Sequence, residues 1–281
     1  MKSVGEIHVH GHRGWRVQDP ENSVIAFTEA IKLGVDVLEM DVVLSADHQL
    51  IVSHDPFMHH EICTMSDGSD ISASEEEKHN LYQMNVPDIQ RYVIGTKIHP
   101  RFPEQHHIAS HKPTLREVIE AVQPLLTDQQ RQAIHWNIEI KSRPEWDNVF
   151  HPIPAVYASI AYEELKHAGI LDFAVIQSFD SRILIALHQI DPALKLVFLT
   201  EDKSFRLDEL NKVLGFKPYG FSPYFPFVDQ EMVEWCAHEN IQLITWTVNE
   251  EKDIRKMIEL GITEIISDYP ERVLRLISGK E

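Results

Sequence analysis

The chain has 281 residues, 43% hydrophobic and 25% charged, with a formal net charge of −18. Such proportions belong to a globular protein with a large buried core. No apolar run approaches the roughly 20 residues that span a bilayer, and so acidic a surface repels nucleic acid and anionic membranes.

Partners of the nucleic-acid kind and stable membrane insertion are therefore excluded, and any anion site must be assembled locally from a cation, a lysine or an arginine. Met1–His10 has no apolar stretch of the secretory kind. The chain thus reads as cytoplasmic, or as periplasmic or secreted if a leader has been removed. Two distant cysteines, Cys63 and Cys236, read as free thiols.

In chain order, β-rich runs alternate with helical patterns. Ile7–His12 reads as a strand and Ser23–Leu33 as a helix, capped by Ser23 or Asn22 and closed by Gly34. Val37–Ser45 is the second strand. After it the rhythm breaks: residues from about 55 to 112 are rich in Gly, Pro, His and Ser, carry the acidic run Glu75–Glu77 and show no clean helix. This segment is expected to be an insertion after the second strand. The pattern resumes at Thr114–Leu126, where Thr114 and Glu117 form a capping-box pattern. Strand and helix then alternate as Ile134–Lys141, Ile153–His167, Phe173–Ser178, Asp180–Gln189, Lys195–Thr200, Leu207–Leu214, Gly220–Tyr224, Asp229–Glu239, Gln242–Val248, Glu250–Leu260, Glu264–Ser267 and Pro270–Ile277. Eight strands, each with a helix before the next, predict an α/β (β/α)₈ TIM barrel, with residues 1–281 as a single domain carrying the small insertion. The alternative is an open doubly wound sheet, but the first strand is not followed by G-x-G-x-x-G.

Strand alternation puts His8, His10 and His12 on one face, with His12 nearest the C-terminal rim where barrel active sites lie. Glu39 and Asp41, at i and i+2 among apolar neighbours, point the same way. Buried there, they need a cation or hydrogen bonds. Asn137, Glu139 and Lys141 share a face at the end of the third strand. Three carboxylates, Glu39, Asp41 and Glu139, form an all-oxygen set that favours a hard divalent cation, Mg²⁺ or Ca²⁺. Lys141 offers a point charge to a phosphate oxygen. His12 and His54 could flank the metal, one removing a proton from a nucleophile and the other protonating a leaving alkoxide. The pattern suits metal-assisted phosphodiester cleavage.

At these residues the sequence resembles the glycerophosphodiester phosphodiesterase family. The likeness runs through His12-Arg13-Gly14, Pro20-Glu21-Asn22-Ser23, Leu38-Glu39-Met40-Asp41-Val42, Val52-Ser53-His54-Asp55, Asn137-Ile138-Glu139-Ile140-Lys141, Gln177-Ser178-Phe179, Thr245-Trp246-Thr247-Val248-Asn249 and Ser267-Asp268-Tyr269-Pro270. The resemblance implies hydrolysis of a small glycerophosphodiester to sn-glycerol 3-phosphate and an alcohol. It implies His12 and His54 as the acid–base pair and Glu39, Asp41 and Glu139 as holders of the cation. It also implies Arg13 and Lys141 on the phosphate and Trp246 lining the pocket. Relatives usually carry Thr-Lys-Asp-Gly where this chain has Ser45-Ala46-Asp47-His48. That departure is expected to alter a turn and spare the site. Three other readings stand beside this one. A lysophospholipase-D-like enzyme could use the same histidines. A binuclear-metal amidohydrolase-type enzyme could use His8-Val9-His10 with Asp268. A barrel could also bind a polyol phosphate without catalysis.

Overall fold

A computed structural model describes residues 6–126 and 135–279. Eight parallel strands close into a barrel in chain order: β1 His8–His12, β2 Val37–Leu44, β3 His135–Ile140, β4 Ala174–Ser178, β5 Lys195–Thr200, β6 Gly220–Pro223, β7 Gln242–Thr245 and β8 Glu264–Ser267. Closure is direct, since β1 pairs with β8 through His8↔Glu264 and with β2 through His10↔Val37. Around the barrel stand α1 Val24–Leu33, α2 Leu115–Val122, α3 Pro154–His167, α4 Ser181–Ile190, α5 Leu210–Leu214, α6 Gln230–Glu239, α7 Glu251–Leu260 and α8 Pro270–Ile277. The barrel expected from the sequence is therefore the fold observed. Ile134, the predicted start of the third strand, lies outside the described residues. Among the described residues no helix is long and apolar enough to cross a membrane.

The predicted punctuation is present. Ser23 Oγ accepts the Ala26 N–H at 3.2 Å, and Gly34 closes α1 with φ 97°. Thr114 and Glu117 satisfy each other's backbone donors at the start of α2. The predicted Thr114–Leu126 helix stops at Val122 and tightens into the 3₁₀ turn Gln123–Leu125, because Pro124 has no N–H to continue the α ladder. A short strand, Leu50–Val52, was not expected; it runs antiparallel to β2 through Val42↔Val52 and Leu44↔Leu50. The turn between them holds His48 at φ 60°, at the position where the family resemblance leads glycine to be expected.

Strand alternation separates two cores. Leu38, Met40, Val42, Ile138, Ile140 and Ile176 face the helices and pack with Phe27, Val118, Tyr157 and Leu184. Inside the barrel Val175, Val197, Ile244 and Ile266 form a smaller cluster against Trp246. Residues 55–112 carry a third cluster, in which Met58, Cys63, Ile71, Leu81, Ile89 and Ile94 pack on Val43 and Ile51. Its regular structure is a two-stranded ladder, Cys63–Thr64 against Val93–Ile94, the 3₁₀ turns Glu76–Lys78 and Leu81–Gln83, and the short helix Val86–Ile89. Cys63 and Cys236 are both buried free thiols.

The turn after β1 docks on α1 at Gly14. Its φ is +85°, and a Cβ there would lie 2.6 Å from the Ala26 carbonyl carbon and 2.7 Å from its oxygen. The Trp15 N–H donates to that oxygen at 3.0 Å. Gly14→Ala is expected to destabilise the fold by about 2–4 kcal/mol, combining a disfavoured φ with a backbone clash. Urea denaturation reads this, and an unshifted midpoint would show that the turn does not anchor on α1.

Candidate active site

The strand register brings the charged residues together. Glu39 lies beside His12 on one side and Asn137 on the other, while Asp41 lies beside Glu139. One carboxylate oxygen from each of Glu39, Asp41 and Glu139 falls within 4.8 Å of the others, and all three side chains are buried. Backbone geometry supports them. Arg13 and Asn22 both adopt the left-handed region, at φ 56° and 55°. The Arg13 N–H donates to Glu39 Oε2 at 3.0 Å and Asn22 Nδ2 donates to Asp41 Oδ2 at 2.9 Å. Gln177 Nε2 holds Glu39 Oε1 at 3.1 Å.

Two cations balance part of this charge. Lys141 Nζ donates to Glu139 Oε1 at 2.6 Å and lies 3.6 Å from Asp41 Oδ1. Arg13 Nη1 donates to Glu21 Oε1 at 2.7 Å, and its Nε lies 3.0 Å from Asp41 Oδ2 without the alignment of a hydrogen bond. Against the cost of burial, Arg13 and Lys141 hold the Asp41 carboxyl far below its ordinary range. Burial, with Asp41 and Glu139 close by, pushes Glu39 well above its own. Burial raises Glu139 too, although Lys141 opposes it. Asp41 Oδ1 is buried and accepts no hydrogen bond. Three close carboxylates, two of them driven toward protonation and one oxygen without a donor, fit a divalent cation.

Two histidines flank the cluster with matching support. His12 Nδ1 bonds Asp268 Oδ1 at 2.6 Å, leaving Nε2 3.9 Å from Glu39 Oε2. His54 Nδ1 bonds Asp55 Oδ1 at 3.1 Å. Each carboxylate accepts from Nδ1–H, which fixes Nε2 as the nitrogen free to exchange a proton. Burial holds His12 below its ordinary pKa, partly offset by Asp268. Burial and the repulsion of Arg13 and Lys141 bring His54 down to about 4. Against burial, His54 holds its partner Asp55 at about 2.

These groups line a cavity of about 530 Å³ at the C-terminal mouth of the barrel. Trp246 forms part of its wall, with Nε1 donating to Ser222 O at 3.0 Å; the Trp246–Thr247 peptide is cis. Phe179 and Tyr224 touch Trp246 with ring centroids 5.4 and 5.5 Å away.

All eight residues singled out from the sequence, His12, Arg13, Glu39, His54, Asp41, Glu139, Lys141 and Trp246, meet at or directly behind this cavity. His8 and His10 do not. They bond the two oxygens of Glu264, each at 2.8 Å, deeper in the barrel, so the His8-Val9-His10 pattern is a pair of imidazoles held on one carboxylate, His10 buried and His8 partly exposed. The sequence reading gave no role in the phosphodiesterase site to Asp268, Asn249, Arg16, Glu21 or Gln177, Asp268 having entered only with His8-Val9-His10 in the amidohydrolase-type alternative. Asn249 Nδ2 holds Asp268 Oδ2 at 2.8 Å, and Arg16 lies between Glu21 and Asp268. Asp268, Asn249, Glu21 and Gln177 stand in the matching motifs, whereas no motif marked Arg16.

The glycerophosphoryl diester phosphodiesterase family model matches residues 12–272. A glycerophosphodiester phosphodiesterase of Bacillus altitudinis is 28% identical over 95% of this chain and 97% of its own. A lysophospholipase D of Rattus norvegicus is 23% identical over 95% and 85% respectively. Among solved structures, one from Silicibacter pomeroyi DSS-3 assigned to the glycerophosphoryl diester phosphodiesterases superposes with a TM-score of 0.86 and 26% identity, covering 98% of this chain and 94% of that one. An Oleispira antarctica phosphodiesterase in complex with the product sn-glycerol-3-phosphate gives 0.75 and 21%, covering 96% of each chain.

Proposed function

The chain belongs to the glycerophosphoryl diester phosphodiesterase family, a family of phosphoric diester hydrolases, and from that premise we propose that it hydrolyses a glycerophosphodiester to sn-glycerol 3-phosphate and an alcohol with one divalent cation and two histidines. The observation that carries this reading is the buried triangle of Glu39, Asp41 and Glu139 with His12 and His54 beside it. The product in the Oleispira complex supports the choice of ester.

In this reading Glu39, Asp41 and Glu139 hold the cation, and their all-oxygen set selects Mg²⁺ or Ca²⁺. When bound, that ion neutralises charge on the non-bridging phosphate oxygens. Arg13 and Lys141 stand beside the carboxylates and add positive charge where the phosphate must sit. One imidazole takes a proton from the attacking oxygen at Nε2, and the other gives one to the departing alkoxide. Asp268 and Asp55 keep the two rings in the required tautomer. Trp246 and Phe179 provide an apolar wall for the organic part of the ester.

The test uses metal-stripped protein and glycerophosphocholine, with Mg²⁺ or Ca²⁺ added back and glycerol 3-phosphate followed by a coupled assay. Metal-dependent product is expected; no product with any glycerophosphodiester and either ion would overturn the reading. Asp268→Asn is expected to lower kcat at least about 10²-fold, because an amide can favour the wrong tautomer of His12. Full activity in that variant would remove Asp268 from the mechanism. One observation favours a second reading. Phe179 and Tyr224 are 37% and 38% exposed at the mouth, where an acyl chain could lie, and the Rattus relative is a lysophospholipase D. Lysophosphatidic acid released from lysophosphatidylcholine faster than glycerol 3-phosphate from glycerophosphocholine would establish it.

A further inference from the structure

Residues 55–112 hold metal-type donors that the phosphodiester chemistry leaves unused. His59 and His60 follow His54 and Asp55 on the loop entering this segment. Glu76, in the acidic run Glu75–Glu77, opens the 3₁₀ turn Glu76–Lys78. The two imidazoles stack with centroids 4.8 Å apart. Glu76 Oε2 accepts the His60 backbone N–H at 2.9 Å and meets His60 Nδ1 at 2.6 Å, and His59 Nε2 lies 3.9 Å from the same oxygen. One donor atom of each residue lies within 4.8 Å of the other two.

We propose that His59, His60 and Glu76 form a second cation site, selective for a borderline transition metal of the Zn²⁺ type over Mg²⁺ or Ca²⁺. The donor chemistry sets the selectivity. Two imidazole nitrogens and one carboxylate oxygen match zinc with a fourth position left to water, whereas the barrel triangle offers oxygen alone. Half-buried side chains, 26%, 33% and 16% exposed for His59, His60 and Glu76, let an ion enter while the backbone N–H of His60 keeps the carboxylate aimed.

The geometry needs small adjustments. Donors about 2.0–2.1 Å from one tetrahedral ion stand about 3.3–3.4 Å apart. The His60–Glu76 pair must therefore open and the His59–Glu76 pair must close. Ligation through His59 Nε2 moves its proton to Nδ1 and gives up the 3.3 Å bond that Nδ1 accepts from the Glu61 N–H. Glu61 is exposed, so that N–H turns to water. The nearby Lys97 ammonium is already engaged by His60 O and Asp70 Oδ1, each at 2.8 Å. An ion here staples the His59–His60 loop to the Glu76 turn. His59 also lines a side cavity of about 190 Å³ with Arg13, His54 and Arg101, which places the staple against the wall of the catalytic mouth.

The test is equilibrium dialysis of metal-stripped full-length protein against Zn²⁺ in millimolar Mg²⁺, comparing wild type with His60→Ala and Glu76→Gln. Wild type is expected to bind one Zn²⁺ equivalent that both variants lose, with affinity falling by more than the roughly 10–100-fold caused by removing an outer-shell partner. Co²⁺ in place of Zn²⁺ should give the visible bands of a tetrahedral site in wild type and not in the variants. Glu76→Gln keeps the side-chain size, so its loss of metal would not reflect misfolding. Equal Zn²⁺ stoichiometry in all three proteins, or displacement of the extra equivalent by Mg²⁺, would overturn the proposal. These readouts do not depend on the phosphodiesterase reading.

Discussion

His12→Ala is expected to lower kcat by about 10²–10⁴-fold with little change in KM, and His54→Ala to do the same, since each removes one partner of the proposed general acid–base pair. The support behind each ring makes the expectation specific. His12 is locked by Asp268 and His54 by Asp55, so neither can be replaced by a neighbour swinging in. His8 and His10, on the same strand as His12, are bound to Glu264. The double variant should fall little further than the worse single one, because groups that act on one transition state are not additive. Thermal midpoints separate chemistry from folding. His54→Ala should leave the metal-free midpoint unchanged or higher, since that imidazole is held near pKa 4 between two cations. His12→Ala should lower it, because Asp268 and Arg16 lose the ring between them and Glu39. Near-normal turnover in either single variant would remove that histidine from the mechanism.

The barrel was legible because parallel strands and outer helices leave strong periodic traces. Leu38, Met40, Val42 and Leu44 turn toward the helices, and the carboxylates between them are conspicuous for that reason. Glu39, Asp41 and Glu139 could be placed at one rim from period-two alternation alone, and the register agrees. The strand Leu50–Val52 was missed because three apolar residues carry no period. What defines them is the turn through His48, whose left-handed backbone has no obvious mark once glycine is gone. His8 and His10 show the opposite failure. Alternation put them on the face of His12 but could not say how deep they sit, and Glu264, their partner, is more than 250 residues away in sequence. The support that Asp268 gives His12, itself held by Asn249, was hidden likewise, since the contact to β1 exists only once the barrel closes.

Glu39→Gln separates what the carboxylate does for the metal from what it does to the fold. Burial and the neighbouring Asp41 and Glu139 raise the Glu39 pKa well above 4.5. The metal-free native state therefore binds this proton more tightly than the unfolded chain does. The associated stability is fully present below the ordinary glutamic acid value and is lost as pH rises through the raised folded pKa. Glu139 is raised and acts in the same direction, while Asp41 is lowered and loses its own contribution only in acid. Glu39 and Glu139 thus add a decline to the metal-free thermal midpoint as pH climbs above about 5, against the rise contributed by His12 and His54, whose lowered values stabilise the fold as pH increases toward the ordinary histidine range. The variant has no proton to lose at this position, so its decline should be shallower. In acid it gains nothing, because its amide nitrogen must face either the Arg13 N–H or Gln177 Nε2, donors that Glu39 meets with one carboxylate oxygen each. Cation binding reverses the comparison. The wild type should be restored by Mg²⁺ or Ca²⁺, with affinity that increases with pH as the Glu39 proton is displaced. The variant should bind at least about 10–100-fold more weakly, a ligand mattering no less than an outer-shell partner. Calorimetric scans with and without metal between mildly acid and neutral pH read both effects. Parallel pH slopes for the two metal-free proteins, together with unchanged metal affinity, would show that Glu39 is neither the protonated member of the triangle nor a ligand.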